Sequence, residues 1–150
     1  MSELTDLYQD VILDHNRSPH NFRSLPEANR KAEGYNPLCG DQVTVYLKLE
    51  QDRIAEIAFQ GKGCAISKAS ASVMTDALKG KSTAEAEQLS ERFRQLVTTS
   101  PGEQGASEDL GKLAVFSGVS EFPTRVKCAV LAWHTLRAAL ESNTSPVTTE

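Results

Sequence analysis

An alternating apolar pattern between residues 43 and 59 constrains the fold more than any other feature of this sequence. Apolar side chains occupy every second position from Val43 to Leu49, which is the period of a half-buried strand. Residues 53–59 continue as a return strand across a short turn at Gln51 and Asp52. The pair predicts an antiparallel hairpin, and Gly61 and Gly63 then lead the chain into a helix.

Helical spacing governs most of the remaining chain. It predicts helices over residues 3–14 and about 65–79, a third that begins with the capping box of Ser82 and Glu85, and a last helix with Pro123 in its first turn. Residues 16–38 and 98–107 are typical of loops. We therefore expect an α+β fold in which helices pack mainly on one face of a small three-stranded antiparallel sheet. Residues 1–142 form one domain, and residues 143–150 are expected to be a flexible tail.

Charge and hydropathy exclude two classes of partner. The chain has 16 lysine and arginine residues against 20 aspartate and glutamate residues, a net charge of −4, which argues against binding of nucleic acid. Its longest apolar stretch, residues 128–133, is far shorter than the roughly 18 residues of a membrane span. The first residues lack the pattern of a secretory signal, so we expect a cytoplasmic protein with no membrane partner.

The three cysteines are the main chemical signal in the sequence. An odd number cannot form a closed set of disulfides within one chain, so free thiols, metal ligands or catalytic groups are expected. Cys39 lies in a turn between Pro37 and Gly40, Cys64 lies at a helix N-terminus, and Cys128 lies in the first turns of the last helix. The gaps of 25 and 64 residues match no zinc knuckle, so these thiols can meet only through the fold.

A carboxylate completes a candidate metal site. Asp41 follows Cys39 by two residues, on the same side of an extended segment. Three thiolates and one carboxylate suit zinc or an iron–sulfur cluster, and zinc with four anionic ligands carries a formal charge of −2. The cations expected to offset this charge are Lys62, Arg125 and Lys127. The alternative is three unrelated, separately buried cysteines, which Cys128 on its apolar helix fits best.

The remaining polar candidates have simpler interpretations. His15 and His20 share no motif with a cysteine and are interpreted as solvated or helix-capping residues. His134 is expected on the outer face of the last helix, because a separation of six residues from Cys128 does not make helical neighbours. Trp133 is expected in the core. The serines at 67, 70 and 72, taken alone, indicate a polar helix face.

Three motifs in order resemble the U-type iron–sulfur cluster assembly proteins. The motifs are residues 34–41 (GYNPLCGD), 61–67 (GKGCAIS) and 125–129 (RVKCA), and the resemblance runs from about residue 4 to about residue 141. Within this family the chain is similar to the SufU branch rather than the IscU branch. It has Lys127 where IscU-like scaffolds have a histidine, a longer segment before Cys128, and residues 121–124 (EFPT) in place of the chaperone-recognition motif.

The resemblance implies a function and a role for each site residue. Cys39, Asp41, Cys64 and Cys128 would bind zinc, and Cys39 would accept sulfur from the persulfide of a PLP-dependent cysteine desulfurase. The partner would lend zinc a ligand, which frees Cys39 as a thiolate to attack the outer sulfur. Asp41, the hardest donor of the set, is expected to tune this exchange. The sulfur would pass to a downstream iron–sulfur scaffold or apo-protein.

Two other functions use the same residues. One is a scaffold that assembles a labile iron–sulfur cluster and transfers it to an acceptor protein. The other is a module with structural zinc that only activates the desulfurase. The sequence does not decide whether the sulfur relay is an enzyme in its own right, a sulfurtransferase, or a carrier that acts with the desulfurase.

Overall fold

Helices and strands succeed one another as the sequence patterns predict over most of the chain. The computed structural model describes residues 3–37, 39–98, 108–141 and 147–148. The helices are α1 (Glu3–Arg17), α2 (Ala65–Leu78), α3 (Thr83–Thr98) and α4 (Pro123–Leu140), with a 3₁₀ helix over Glu108–Glu121, and the strands are β1 (Arg30–Asn36), β2 (Asp41–Glu50), β3 (Arg53–Lys62) and β4 (Val147–Thr148). The predicted loop at 98–107 lies largely outside the described residues.

The sheet differs from the predicted three antiparallel strands. Within the described residues it has four strands in the order β3-β2-β1-β4; β1, β2 and β3 are antiparallel neighbours, whereas β4 pairs with β1 in parallel. The sequence predicts a loop where β1 lies, because the buried face of this strand carries Ala32, Gly34 and Asn36, which give no apolar alternation. β4 comes from residues that the sequence assigned to a flexible tail, and it is only two residues long.

The core lies between the sheet and the helices. Alternate residues of β2 are buried, including Val43, Val45 and Leu47, so one face of the sheet is covered as predicted. Trp133 of α4 is 1% exposed and stacks on Phe93 of α3, which confirms its expected place in the core. The sheet, α2, α3 and α4 share one apolar cluster, and this cluster fixes the position of α4 over the sheet.

The serines of α2 are buried rather than displayed on a polar face. Ser67, Ser70 and Ser72 are at most 5% exposed. The Ser70 hydroxyl donates a hydrogen bond to the carbonyl of Ala129 at 2.6 Å and accepts one from the indole N–H of Trp133 at 3.2 Å. Small hydroxyl side chains let α2 pack closely while their polar atoms stay satisfied, which periodicity alone cannot show.

Helix ends follow local chemistry. The amide of Glu85 donates to Ser82 Oγ and the amide of Ser82 donates to Glu85 Oε1, both at 3.1 Å, which confirms the predicted capping box. Pro123 opens α4 as expected. α1 continues to Arg17, three residues beyond its predicted end.

Within the described residues, no helix has both the length and the apolar character needed to cross a bilayer.

Candidate metal centre

One end of the sheet brings together three of the four predicted ligands: Cys39, Asp41 and Cys64. Asn36 at the end of β1 pairs with Asp41 at the start of β2, and Gln42 of β2 pairs with Lys62 at the end of β3. Cys39 precedes β2 and Cys64 follows β3, so both cysteines lie at this same end of the sheet. Strand register thus places residues 23 positions apart, Asp41 and Cys64, beside each other.

Cys64 is the N-cap residue of α2. Its backbone is extended, and its Sγ accepts a hydrogen bond from the amide of Ser67 at 3.4 Å. Gly63, immediately before it, has a φ of +151°, and a Cβ at this position would stand 2.2 Å from Asp41 Oδ1. The glycine is needed for both reasons, because a side chain would strain the backbone and displace the carboxylate.

α4 supplies the third thiol. Cys128 lies in its second turn, is fully buried, and its Sγ lies 3.4 Å from Cys39 Sγ. The thiol of Cys128 also lies 3.6 Å from the carbonyl of Thr124, one turn earlier. Burial, helped by the adjoining Cys39 and Asp41, raises the pKa of Cys128 above its ordinary value, so without a cation this thiol stays protonated.

The four predicted ligands converge, but not with equal closeness. The ligand atoms of Cys39, Asp41 and Cys128 lie within 4.8 Å of one another. Cys64 joins this group through Asp41, with 3.9 Å between its Sγ and Asp41 Oδ2. The three thiols differ in access, since Cys39 is exposed, Cys64 is half-buried and Cys128 is buried.

Asp41 is a buried carboxylate without a cationic partner in the described part of the chain. It is 1% exposed and accepts hydrogen bonds from the Cys64 amide at 2.8 Å and from Asn36 Nδ2 at 3.3 Å. The predicted cations do not pair with it there: Lys62 and Arg125 are exposed, and Lys127 is half-buried. A buried carboxylate is costly unless a positive charge compensates it, so three thiols and this carboxylate fit a divalent metal ion.

Asn36 is a site residue that the sequence patterns did not reveal. It is fully buried, and its Nδ2 donates to Asp41 Oδ2 at 3.3 Å and to Cys128 Sγ at 3.5 Å. Its Oδ1 is buried and has no hydrogen-bond partner in the part of the chain that the structure describes. One amide thus orients two ligands from different elements, as outer residues of metal sites commonly do. Its place at the end of a strand opposite Asp41 becomes visible only once β1 is known.

The histidines lie apart from the thiols, and two of the interpretations made from sequence are wrong. His15 is 4% exposed rather than solvated, and its Nδ1 lies 2.6 Å from Ser72 Oγ. His134 is half-buried rather than on an open outer face, and burial lowers its pKa. His20 is hydrogen-bonded to Asp76. No periodicity reveals these contacts, because each joins residues at least 52 positions apart or depends on packing.

Comparison with known proteins identifies relatives along nearly the whole chain. The chain is 40% identical over 141 residues to the iron–sulfur cluster assembly scaffold protein IscU of Streptococcus pyogenes serotype M1, a match that covers 94% of this chain and 87% of the relative. It is also 40% identical over 135 residues to the zinc-dependent sulfurtransferase SufU of Bacillus subtilis strain 168, with 90% of each chain covered.

Solved structures share the same architecture. The crystal structure of FiSufU from Fervidobacterium islandicum AW-1 superposes with a TM-score of 0.80 at 34% identity, over 87% of this chain and 94% of that one. The N-terminal part of a NifU-like protein from Brucella abortus gives a TM-score of 0.81 at 22% identity, over 95% and 97%, which shows a shared fold. The model of the NifU-like N-terminal domain matches residues 7–129. The chain therefore belongs to the NifU-like N-terminal domain family, together with the relatives named IscU and SufU.

Proposed function

We propose that this protein is a zinc-dependent sulfur acceptor and carrier for iron–sulfur cluster assembly. Four side chains would hold the zinc: Cys39, Asp41, Cys64 and Cys128. The observation that carries the proposal is a buried carboxylate that meets three thiols and no cation of the described chain. The relative named as a zinc-dependent sulfurtransferase supports it at 40% identity.

The donor set fits zinc by number and by softness. Zinc binds four ligands, prefers sulfur and nitrogen, keeps thiol ligands deprotonated and has no redox chemistry of its own. Asn36 and the Cys64 amide hold Asp41 in place, and Gly63 leaves room for its carboxylate. These contacts thus hold the carboxylate ligand in place, and the thiol of Cys39 stays exposed beside it.

Cys39 is the thiol that accepts sulfur. It is exposed, whereas Cys64 is half-buried and Cys128 is buried, so a large protein donor reaches Cys39 first. As a thiolate, Cys39 attacks the outer sulfur of a cysteine persulfide on the donor. A new bond forms between Cys39 Sγ and that sulfur, the sulfur–sulfur bond of the donor breaks, and the donor cysteine leaves as a thiolate. No oxidant is needed, because the electron pair of the broken bond leaves with the donor.

The chemistry of this step defines the partners. A PLP-dependent cysteine desulfurase is the donor class, because such enzymes carry a cysteine persulfide between turnovers. The persulfide on Cys39 then passes to a downstream iron–sulfur scaffold or apo-protein. We place this relay in the cytoplasm, where a reducing environment keeps three unpaired cysteines as thiols.

A scaffold function is the second candidate. The IscU relatives favour it, since the same ligands could hold a labile iron–sulfur cluster. Anaerobic reconstitution with iron and sulfide distinguishes the two functions. A scaffold turns brown and passes its cluster to an apo-ferredoxin, whereas a zinc-loaded sulfur carrier retains zinc and does neither.

Desulfurase turnover tests the sulfur relay directly. Zinc-loaded protein should raise the turnover of a cysteine desulfurase, and the Cys39→Ser variant should lose nearly all of this stimulation. His134→Gln is the matched control, because this histidine lies away from the thiols, and it should stimulate as the wild type does. A Cys39→Ser protein that still stimulates fully would make the protein an activator with structural zinc rather than an acceptor.

A further inference from the structure

A second group of metal-binding side chains lies at the opposite end of α2. It consists of His15 at the end of α1, His20 in the following segment and Asp76 in the last turn of α2. Asp76 follows Cys64 by twelve residues of α2, which places the two ends of the helix about 18 Å apart. The proposed sulfur relay uses none of these three residues.

Ser72 contacts the imidazole of His15 and the backbone of His20. This serine is fully buried, and its Oγ lies 2.6 Å from His15 Nδ1 and accepts a hydrogen bond from the backbone N–H of His20 at 2.7 Å. When His15 Nδ1 donates its proton to Ser72, the other ring nitrogen, Nε2, carries the lone pair. This arrangement, in which one ring nitrogen is held and the other is free to coordinate, is usual for histidine metal ligands.

Asp76 brings a carboxylate to the same place. It is hydrogen-bonded to His20 Nδ1 and accepts a bond from Asn21 Nδ2 at 3.3 Å. The rings of His15 and His20 lie 4.4 Å apart between centroids, and the His20 ring contacts the Asp76 carboxylate, so the three side chains lie side by side. One ligand atom from each of the three residues lies within 4.8 Å of the other two.

We propose that His15, His20 and Asp76 form a second metal site, for a divalent first-row transition ion. Two imidazoles and one carboxylate are borderline donors that suit zinc, iron, cobalt or nickel better than magnesium or calcium. Ligand atoms around a tetrahedral ion at about 2.1 Å stand about 3.4 Å apart. His20 and Asp76 are partly exposed, at 48% and 36% of their side chains, so they can rotate inward while the buried His15 stays fixed.

An open cleft gives an ion and its water ligands access to this site. The cleft measures about 390 Å³ and is bordered by both histidines. Among the described residues, its rim carries one anionic side chain, Asp14, and two cationic ones, Arg17 and Lys112. Arg17 is directed to Asp14, 3.6 Å away, and its side chain is 73% exposed, so solvent screens much of its repulsion. The site thus differs from the thiol site in donor type, access and charge.

Histidine NMR tests the proposal, because the chain has three histidines and each ring gives its own signals. Protein that already holds one equivalent of zinc should bind a second. The second equivalent should shift the ring signals of His15 and His20 and leave those of His134 unchanged. His20→Ala and Asp76→Asn should each abolish the second equivalent, whereas His134→Gln should keep it. Magnesium in place of zinc should shift none of the rings.

The proposal fails if the wild type binds a single equivalent of zinc, or if His20→Ala binds as much as the wild type. It also fails if His134 shifts together with the other two rings, because such a pattern indicates non-specific binding. Both variants change partly exposed side chains, and circular dichroism shows whether they fold. The signals of His15 and His20 report this site whether or not the thiol site holds zinc, so the outcome is independent of the sulfur relay.

Discussion

The ligand clusters at the two ends of α2 differ in whether their polar groups already have partners. At the N-terminal end, the Asp41 carboxylate is buried with no cationic partner among the described residues, and the side-chain oxygen of Asn36 is buried with no hydrogen-bond partner among them. At the C-terminal end, His15 and Asp76 already have hydrogen-bond partners in Ser72 and His20. A buried polar group without a partner costs stability, whereas a satisfied one does not. We therefore expect a metal ion to stabilise the thiol end, whereas the polar groups of the histidine end are hydrogen-bonded without one.

The largest predicted effect on zinc affinity comes from Gly63, which precedes α2, and Gly80, which follows α2, serves as its control. In Gly63→Ala the new Cβ would stand 2.2 Å from Asp41 Oδ1, so we expect zinc affinity to fall by about 100-fold, the upper end of the range for loss of a ligand-orienting contact. Gly80→Ala at the other end, where φ is +84° and no atom of the described residues lies within 4 Å of the new Cβ, should cost about 1 kcal/mol of stability and leave zinc affinity unchanged.

Competition with a chromophoric zinc chelator measures the affinity, and urea unfolding measures the stability. Equal zinc affinity in Gly63→Ala and Gly80→Ala would contradict the described contact of residue 63 with Asp41. It would also remove the distinction between a crowded metal-binding end and an open end of the helix.

The next largest effect on zinc affinity is expected from Asn36, which orients ligands at the thiol end, but not from Ser72 at the histidine end. Asn36→Ala should weaken zinc binding at the thiols by about 10–100-fold, because Asp41 and Cys128 both lose the amide that positions them. Ser72→Ala, the matched change at the histidine end, should leave this zinc bound as tightly as in the wild type. Chelator competition on both variants decides, and an Asn36→Ala protein with wild-type affinity would leave Asn36 without a role at the metal.

Oxidation should give a smaller, selective effect in the metal-free protein. Cys39 Sγ and Cys128 Sγ lie 3.4 Å apart, whereas Cys64 is directed to Asp41. A two-electron oxidant such as diamide should therefore form the Cys39–Cys128 disulfide before any other, and bound zinc should prevent it by holding both sulfurs. Peptide mapping after mild oxidation identifies the pair. A dominant disulfide that includes Cys64 would show that the thiols are arranged differently in solution.

The smallest effect concerns His134, which belongs to neither end. Burial lowers the pKa of this histidine below its usual 6.5, so the unfolded chain binds a proton at a higher pH than the folded chain. The free energy of unfolding should therefore fall as the pH drops below 6.5, and it should recover above that value. His134→Gln should reduce this fall; burial also lowers the pKa of His15, which leaves a remaining slope.

Urea unfolding at pH 7.5 and pH 5.5, on metal-free protein, measures this slope. Identical slopes in the wild type and His134→Gln would show that His134 titrates alike in the folded and the unfolded chain.

Sequence patterns predict the parts of this molecule that depend on local spacing. The hairpin of β2 and β3, the capping box at Ser82 and the start of α4 at Pro123 each follow from residues close together in the chain. β1 and β4 do not, because a strand whose buried face carries Ala32, Gly34 and Asn36 has no apolar alternation, and a two-residue strand has no period.

The same distinction holds at the two ligand clusters. Turn chemistry at Cys39 and the helix start at Cys64 draw attention to the thiols, and the motifs set them in one family. Asn36 and the buried His15 act through contacts between residues far apart in sequence, at 92 and 57 positions. Such contacts depend on packing, so the fold is needed to find them.

X-ray absorption at the zinc edge, on protein loaded with one equivalent of zinc, tests most directly how this protein binds its metal. We predict three sulfur neighbours at about 2.3 Å and one oxygen neighbour at about 2.0 Å. Spectra with at most one sulfur, or with imidazole nitrogen as the main neighbour, would contradict the thiol site and place the first zinc elsewhere.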